Sequence, residues 1–356
     1  MSNNLKGAIP IGLSIVMGGV GDANLRDSGA MTMLPRRRRV LWLAGLGACL
    51  ACARMSFAQA YPSRPIRWIV PFPAGGTTDL VARLMGQWLT RRLGQQVVIE
   101  NKPGGGTNVG VEAAVSAPAD GYTLLFALAT NTINPSLYKS LPFDFQRDIV
   151  PVAGLAELPL ITIVNPSVPV KTVSELIAYA RANPGKINFA SFGARTISDL
   201  AIALFQKSAD IDVVHVPYPG DAPLLIDLVN GRVQAAVAAL PDALPHIRAG
   251  EVRAVALLSA KRSPTLPNVP TMGETIPGFD VDAWTGVGVP RGTPTGIVEL
   301  LNREINAGLA DPGIKARLAQ VGGVPLVRTP RELGALIARD TAKWAKVIKQ
   351  AGIEPQ

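Results

Sequence analysis

The sequence predicts an α/β fold divided into two lobes, and three observations carry that prediction. Beyond residue 60, short β-rich runs alternate with segments of helical periodicity, the pattern of parallel strands linked by helices. Two strand-to-helix junctions, at 71–79 and 101–110, are rich in glycine. Residues 61–356 are too many for one small core, so two lobes are expected, one from 61–162 with 286–356 and the other from 163–285. Two crossings between them make a hinge.

Ile66 to Pro71 reads as the first strand and runs into a glycine turn. From Asp79, Leu80, Leu84 and Trp88, with Leu89 and Leu93 on the flank, give a helical face, and Thr77 or Thr78 can cap that helix. Val97 to Glu100 is a second strand, Gly104 to Gly106 leads into a helix through Val109, Ala113 and Ala114, and Tyr122 to Ala127 is a third strand. The same logic repeats from Leu160 to Val164. Thr172 with Glu175 forms a capping box for a helix to Asn183. A strand at Ile187 to Ala190 and a helix from Ser198 to Lys207 follow, and Val213 to Pro217, Val233 to Ala239 and Val252 to Leu258 complete this half. A β-rich segment at Trp284 to Val289 precedes helices at Thr295 to Ala310 and Pro330 to Ala351.

A chain that is 48% hydrophobic with only 17% charged residues can bury a sizeable core, which excludes disorder. Its formal charge of +9 concentrates ahead of residue 61, where Lys6, Arg26, Arg36 to Arg39 and Arg54 face only Asp22 and Asp27. The remainder is close to balanced, and nucleic acid loses its main electrostatic support. Both cysteines, Cys49 and Cys52, lie in that same leading segment, so disulfide, zinc-thiolate and cysteine-nucleophile chemistry are not expected after it.

Arg36 to Arg39, the apolar run Val40 to Ala53 and Ala58-Gln59-Ala60 stand in the order of a bacterial signal peptide over 31–60, with cleavage after Ala60. Residues 1–30 read as a disordered extension or as sequence ahead of a true start at Met31 or Met33. Leu46-Gly47-Ala48-Cys49 offers lipoprotein cleavage as a rival, and Arg38-Arg39-Val40-Leu41 a twin-arginine signal. The expected location is the periplasm.

Pro71-Phe72-Pro73-Ala74-Gly75-Gly76-Thr77-Thr78-Asp79 places two glycines between a strand end and a helix start. Main-chain N–H groups can there approach an anion closely, with the helix dipole adding roughly 0.3 to 2 kcal/mol. A tight turn alone is the competing reading. The second glycine junction does not fit GxGxxG, and no Walker sequence occurs, so it reads as close packing beneath a cleft. Catalytic signals are thin: His215 lies among valines on a strand as a structural histidine, His246 in a solvated turn, and neither HExxH nor GxSxG is present. No cofactor, no metal and no catalytic residue is expected.

With YPSRPIRWIVPFPAGGTTD, VVIENKPGGGTNVG, ADGYTLLFA, LPFD, VPYPGDAP, LPHIRAG and RSPTLPNVPT in place, the chain from Tyr61 to Gln356 resembles the periplasmic receptors of tripartite tricarboxylate transporters, the Bug family. The resemblance implies a type II periplasmic-binding-protein fold, with two α/β lobes joined by a hinge and closing on a small carboxylate in the cleft between them. It implies ligand contacts at Phe72, Ala74, Gly75, Gly76, Thr77 and Asp79, at Thr130 and Asn131, and in the second lobe at Gly193, Arg195 and Thr196. Asp79 has two readings, acceptor for a ligand amino group or favourable acid in the first helical turn. Arg195 also has two, a fork onto a second ligand carboxylate or a solvated rim residue. Ala238 to Asp242 is less polar than relatives usually are there. The implied function is a monomeric, non-catalytic receptor that delivers a small carboxylate to membrane permease subunits. An exported receptor serving a signalling partner and an organic-acid-processing enzyme are the alternatives.

Overall fold

The computed structural model describes residues 61–320 and 322–355. The expected extension, signal peptide and cleavage positions at Cys49 and Ala60 lie outside the described residues.

The first strand, β1 (Ile66–Val70), keeps Ile66, Trp68, Ile69 and Val70 out of solvent, as a central strand must. It leads through the glycine turn into helix α1 (Thr77–Leu93). β2 (Val97–Asn101), α2 (Asn108–Val115), β3 (Thr123–Leu128), α3 (Thr130–Leu137), α4 (Phe145–Asp148) and β4 (Ile149–Glu157) follow. Then come β5 (Leu160–Val164), α5 (Val173–Ala182), β6 (Asn188–Ser191), α6 (Ile197–Ala209), β7 (Val214–Pro217), α7 (Asp221–Val229), β8 (Ala235–Ala239), α8 (Leu240–Arg248) and β9 (Arg253–Leu257). The chain ends with β10 (Trp284–Pro290), α9 (Thr295–Ala310), α10 (Pro312–Gln320), β11 (Val324–Pro325) and α11 (Pro330–Gln350).

These strands form two sheets, ordered β11-β4-β10-β3-β1-β2 and β7-β6-β8-β5-β9. The two-lobed α/β fold expected from the sequence is therefore present, but the sheets are mixed. β1 pairs in parallel with β2 and β3, whereas β10 runs antiparallel to both β3 and β4. In the second sheet β5 runs antiparallel to β8 and β9. A parallel neighbour needs a long crossover connection. The strands beside the interlobe crossings enter their sheets without one.

Sheet membership also moves the junctions. β5 belongs wholly to the second sheet and β10, from Trp284, to the first, so the chain crosses at Leu158-Pro159 and at Ala283. The boundaries expected after 162 and before 286 fall inside those strands. Hydrophobicity alone does not reveal which sheet a fully buried strand joins.

The stripe expected on α1 is rotated. Val81, Met85 and Leu89 are buried, while Leu80 is 45% exposed. Helix α9 supplies the reason, because Trp88 lies against its Gly308 and donates its indole N–H to the Glu304 carbonyl at 2.8 Å. Arg92 closes the same contact on the Glu304 carboxylate at 2.8 Å. On α5, Thr172 does accept from the Glu175 amide at 3.2 Å, but Glu175 turns to the Lys171 N–H and leaves the box half made.

The second glycine junction packs as expected beneath the end of β1. A Cβ at Gly110 would stand 2.6 Å from the Pro71 Cβ and 3.0 Å from its Cα, so α2 and β1 meet where only glycine fits. Gly110→Ala is expected to lower stability by about 1 to 3 kcal/mol, the usual cost of overpacking. Urea unfolding checks this, and an unchanged midpoint would show that the contact gives way freely.

Candidate functional site

A cavity of about 140 Å³ lies between the two sheets, with walls from the first glycine turn, the crossing strands and the second-lobe loops. Five helices begin at its wall: α1 at Gly76-Thr77, α3 at Ala129-Thr130, α6 at Ile197, α7 at Gly220-Asp221 and α8 at Ala239 to Asp242. None of the five carries a side-chain N-cap. Away from the cavity, α4, α5 and α11 are capped by Asp144, Thr172 and Thr329, while α2 and α9 also start without a side-chain cap. A helix start leaves backbone N–H groups without intrahelical partners and carries a partial positive charge. Five such starts on one cavity favour an electron-rich guest.

The expected caps Thr77 and Thr78 are thus a correction: Gly76 is the N-cap and Thr77 the first helical residue. The Thr77 amide instead donates to the Asp242 Oδ2 at 3.4 Å, from a helix of the other lobe. Other contacts also span the lobes. The Ile197 amide donates to Thr130 Oγ1 at 3.4 Å, and the Phe72 and Phe192 rings meet edge to face with centroids 6.1 Å apart. Trp284 seals the hinge side, its indole N–H held by the Asp340 Oδ2 at 2.8 Å.

Of the contacts implied by the resemblance, Phe72, Ala74, Gly76, Thr77 and Thr130 line this cavity. Gly75 does not, and its N–H is already accepted by Asp79 Oδ2 at 3.1 Å, which holds the turn in its left-handed conformation at φ +92°. The same carboxylate takes Arg83 Nε at 2.8 Å and Asn101 Nδ2 at 3.0 Å. Burial alone would push the Asp79 carboxyl up, but the bonds from Arg83, Gly75 and Asn101 outweigh it and hold it below the usual range. Asp79 therefore shapes the turn and does not line the cavity, which favours its reading as an acid of the first helical turn over that of a ligand acceptor.

Asn131 is likewise committed to the protein. Its Oδ1 accepts from the Leu128 amide at 2.8 Å and its Nδ2 donates to Thr107 Oγ1 at 2.9 Å, tying the second glycine junction to the end of β3. Gly193, Arg195 and Thr196 line a neighbouring groove of about 390 Å³ with Gly104 to Thr107 and Tyr138. There the Arg195 guanidinium lies 4.8 Å from the Tyr138 ring centroid, and its amide donates to Asp199 Oδ2 at 2.6 Å. In this geometry the arginine contacts an aromatic of the first lobe and does not line the main cavity.

Asp221 and Asp242 are the charged cavity residues that sequence reasoning missed. Asp221 Oδ1 accepts from the Ala239 amide at 3.0 Å. Both residues are half-buried by accessible area, yet their carboxyl groups are closely surrounded by protein. Burial, and then the charge of Asp242, push the Asp221 carboxyl well above the usual range; burial also pushes Asp242 up, against the lowering effect of Thr77. The available signal was positional, since Asp221 follows Gly220 at another strand-glycine-helix junction.

Ser191, His215 and Asp199 form a chain that resembles a hydrolase triad, with Ser191 Oγ 2.7 Å from His215 Nε2 and His215 Nδ1 3.4 Å from Asp199 Oδ1. Ser191 is fully buried and none of the three lines either cavity, so the chain braces the loop ahead of α6. Among the described residues no group of three potential metal ligands occurs.

A carboxyl that is harder to ionise in the folded state removes stability as pH rises through and above the ordinary carboxylate range. Asp221→Asn keeps the acceptor for Ala239 and removes the charge. The melting temperature of the variant should match the wild type at about pH 4 and exceed it by several degrees at about pH 7.5. Scanning fluorimetry against pH tests this, and a pH-independent difference would contradict the assignment.

Comparisons with known proteins agree with this architecture. The family profile described as "Tripartite tricarboxylate transporter family receptor" matches residues 81–353. Rpa4515 of R. palustris, solved with adipate, is 36% identical with a TM-score of 0.80, covering 83% of this chain and 100% of its own. The periplasmic binding protein BugD is 35% identical with a TM-score of 0.79 over 83% and 100% of the two chains. MatC (Rpa3494) from Rhodopseudomonas palustris, solved with malate, is 32% identical with a TM-score of 0.76 over 81% and 100%. BugD is a periplasmic binding protein, and no described helix here is long and apolar enough to cross a membrane. With its two sheets, interlobe cavity and uncapped helix starts, the chain belongs to the tripartite tricarboxylate transporter receptor family.

Proposed function

We propose that this protein is exported to the periplasm, captures a small organic acid between its lobes and delivers it to the membrane subunits of a tripartite transporter. The observation that carries the reading is the convergence of five uncapped helix starts on one interlobe cavity. Their amides supply donors and positive partial charge without a bound metal, and Phe72, Phe192 and Trp284 supply apolar walls. The adipate and malate bound by Rpa4515 and MatC support an acid as the guest class. Capture without turnover fits the burial of Ser191, which keeps the triad-like chain from any guest in the cavity. Hinge motion at the two crossings would admit and release the guest.

Gly76 gives the cavity part of its opening, because no protein atom lies within 4 Å of the place a Cβ would take. A thermal-shift screen of mono-, di- and tricarboxylates, aromatic acids and amino acids is expected to find at least one compound that raises the melting temperature by several degrees and is recovered intact. Gly76→Val should fold and lose that shift. Absence of stabilisation by every compound at high concentration would overturn the receptor reading.

A further inference from the structure

The charge inside the cavity is opposite to what a diacid requires. Among the described residues no lysine, arginine or histidine lines it, whereas Asp221 and Asp242 do. They stand on adjacent helix starts of the second lobe and interact electrostatically. Asp221 Oδ1 is engaged by the Ala239 amide, while its Oδ2 has no hydrogen-bond partner among the described residues. Asp242 spends one oxygen on the Thr77 amide, across the cleft. The remaining acceptors border a cavity otherwise walled by apolar and hydroxyl side chains.

We propose that the guest is an amino acid, with an ammonium group held between Asp221 and Asp242 and its carboxylate held by first-lobe donors around Thr78 and Thr130. This deepens the receptor reading and rests on it. A second ligand carboxylate at that end would face two acidic side chains with no cation between them, which is repulsive and selects against diacids. An ammonium supplies three donors to acceptors that are otherwise incompletely used. Burial makes both carboxyl groups costly to ionise, the charge of Asp242 adds to that cost at Asp221, and a cation at the pair would relieve it.

Calorimetry on the full mature chain with length-matched probes tests the assignment: glutarate against glutamate and 5-aminopentanoate, and adipate against 6-aminohexanoate. In at least one set the amine is expected to bind about tenfold or more tightly than the diacid. Asp221→Asn and Asp242→Asn, both close in shape to the native residue, should each reduce that preference by about tenfold. Two variants guard against a folding defect in one. A diacid preferred in every set, or an amine preference unchanged in both variants, would overturn the amino-acid assignment while leaving an acid receptor in place. Binding of no probe in any set would also overturn it, and the wider carboxylate screen then decides whether the receptor reading itself fails.

Discussion

Everything about this site depends on unsatisfied backbone at the starts of helices. An α-helix begins with amides that have no carbonyl partner within the helix, and most sequences settle them with a serine, threonine or aspartate at the cap. Here Gly76, Ala129, Thr196, Gly220 and Ala239 occupy the cap positions around one cavity and none caps with its side chain. The donors are left for what enters from outside or, at Thr77 and Ile197, for a side chain of the opposite lobe. Such a site has little side-chain reorganisation to undergo when an acceptor arrives.

The turn that presents the first of these helices is itself held by charge. Asp79 lies in the first turn of α1 and reaches back to the Gly75 amide while Arg83 and Asn101 fix its carboxylate. An acid at this position would suit the helix dipole in any case. Its additional work is to anchor a left-handed glycine, so the residue controls the shape of the cavity without entering it. Asn131 does the equivalent beneath α3, joining the end of β3 to the second glycine junction through Thr107.

The two lobes share more than a hinge. Asp242 on Thr77, Thr130 on Ile197, Phe72 on Phe192 and Arg195 over Tyr138 all join residues from different sheets. Each pair sits at or beside the cavity, so the surfaces that would part on opening are the ones that enclose a guest. The Phe72–Phe192 contact gives the wall apolar surface from both lobes.

The sequence by itself determined the alternation of strands and helices, the two glycine junctions and the scarcity of catalytic groups, because periodicity and turn chemistry act over a few residues. Tertiary structure decided which face of α1 is buried, since Gly308 and Glu304 of a distant helix provide the second packing surface for Trp88. It decided the antiparallel courses of β5 and β10 and the points at which the chain changes sheets. It also decided the electrostatics of the cavity. Thr77 and Asp242 are 165 positions apart, and neither residue alone signals that a carboxylate of one lobe will meet an amide of the other. Local pattern has a short range, whereas a cavity between lobes is defined by which distant segments the sheets bring together.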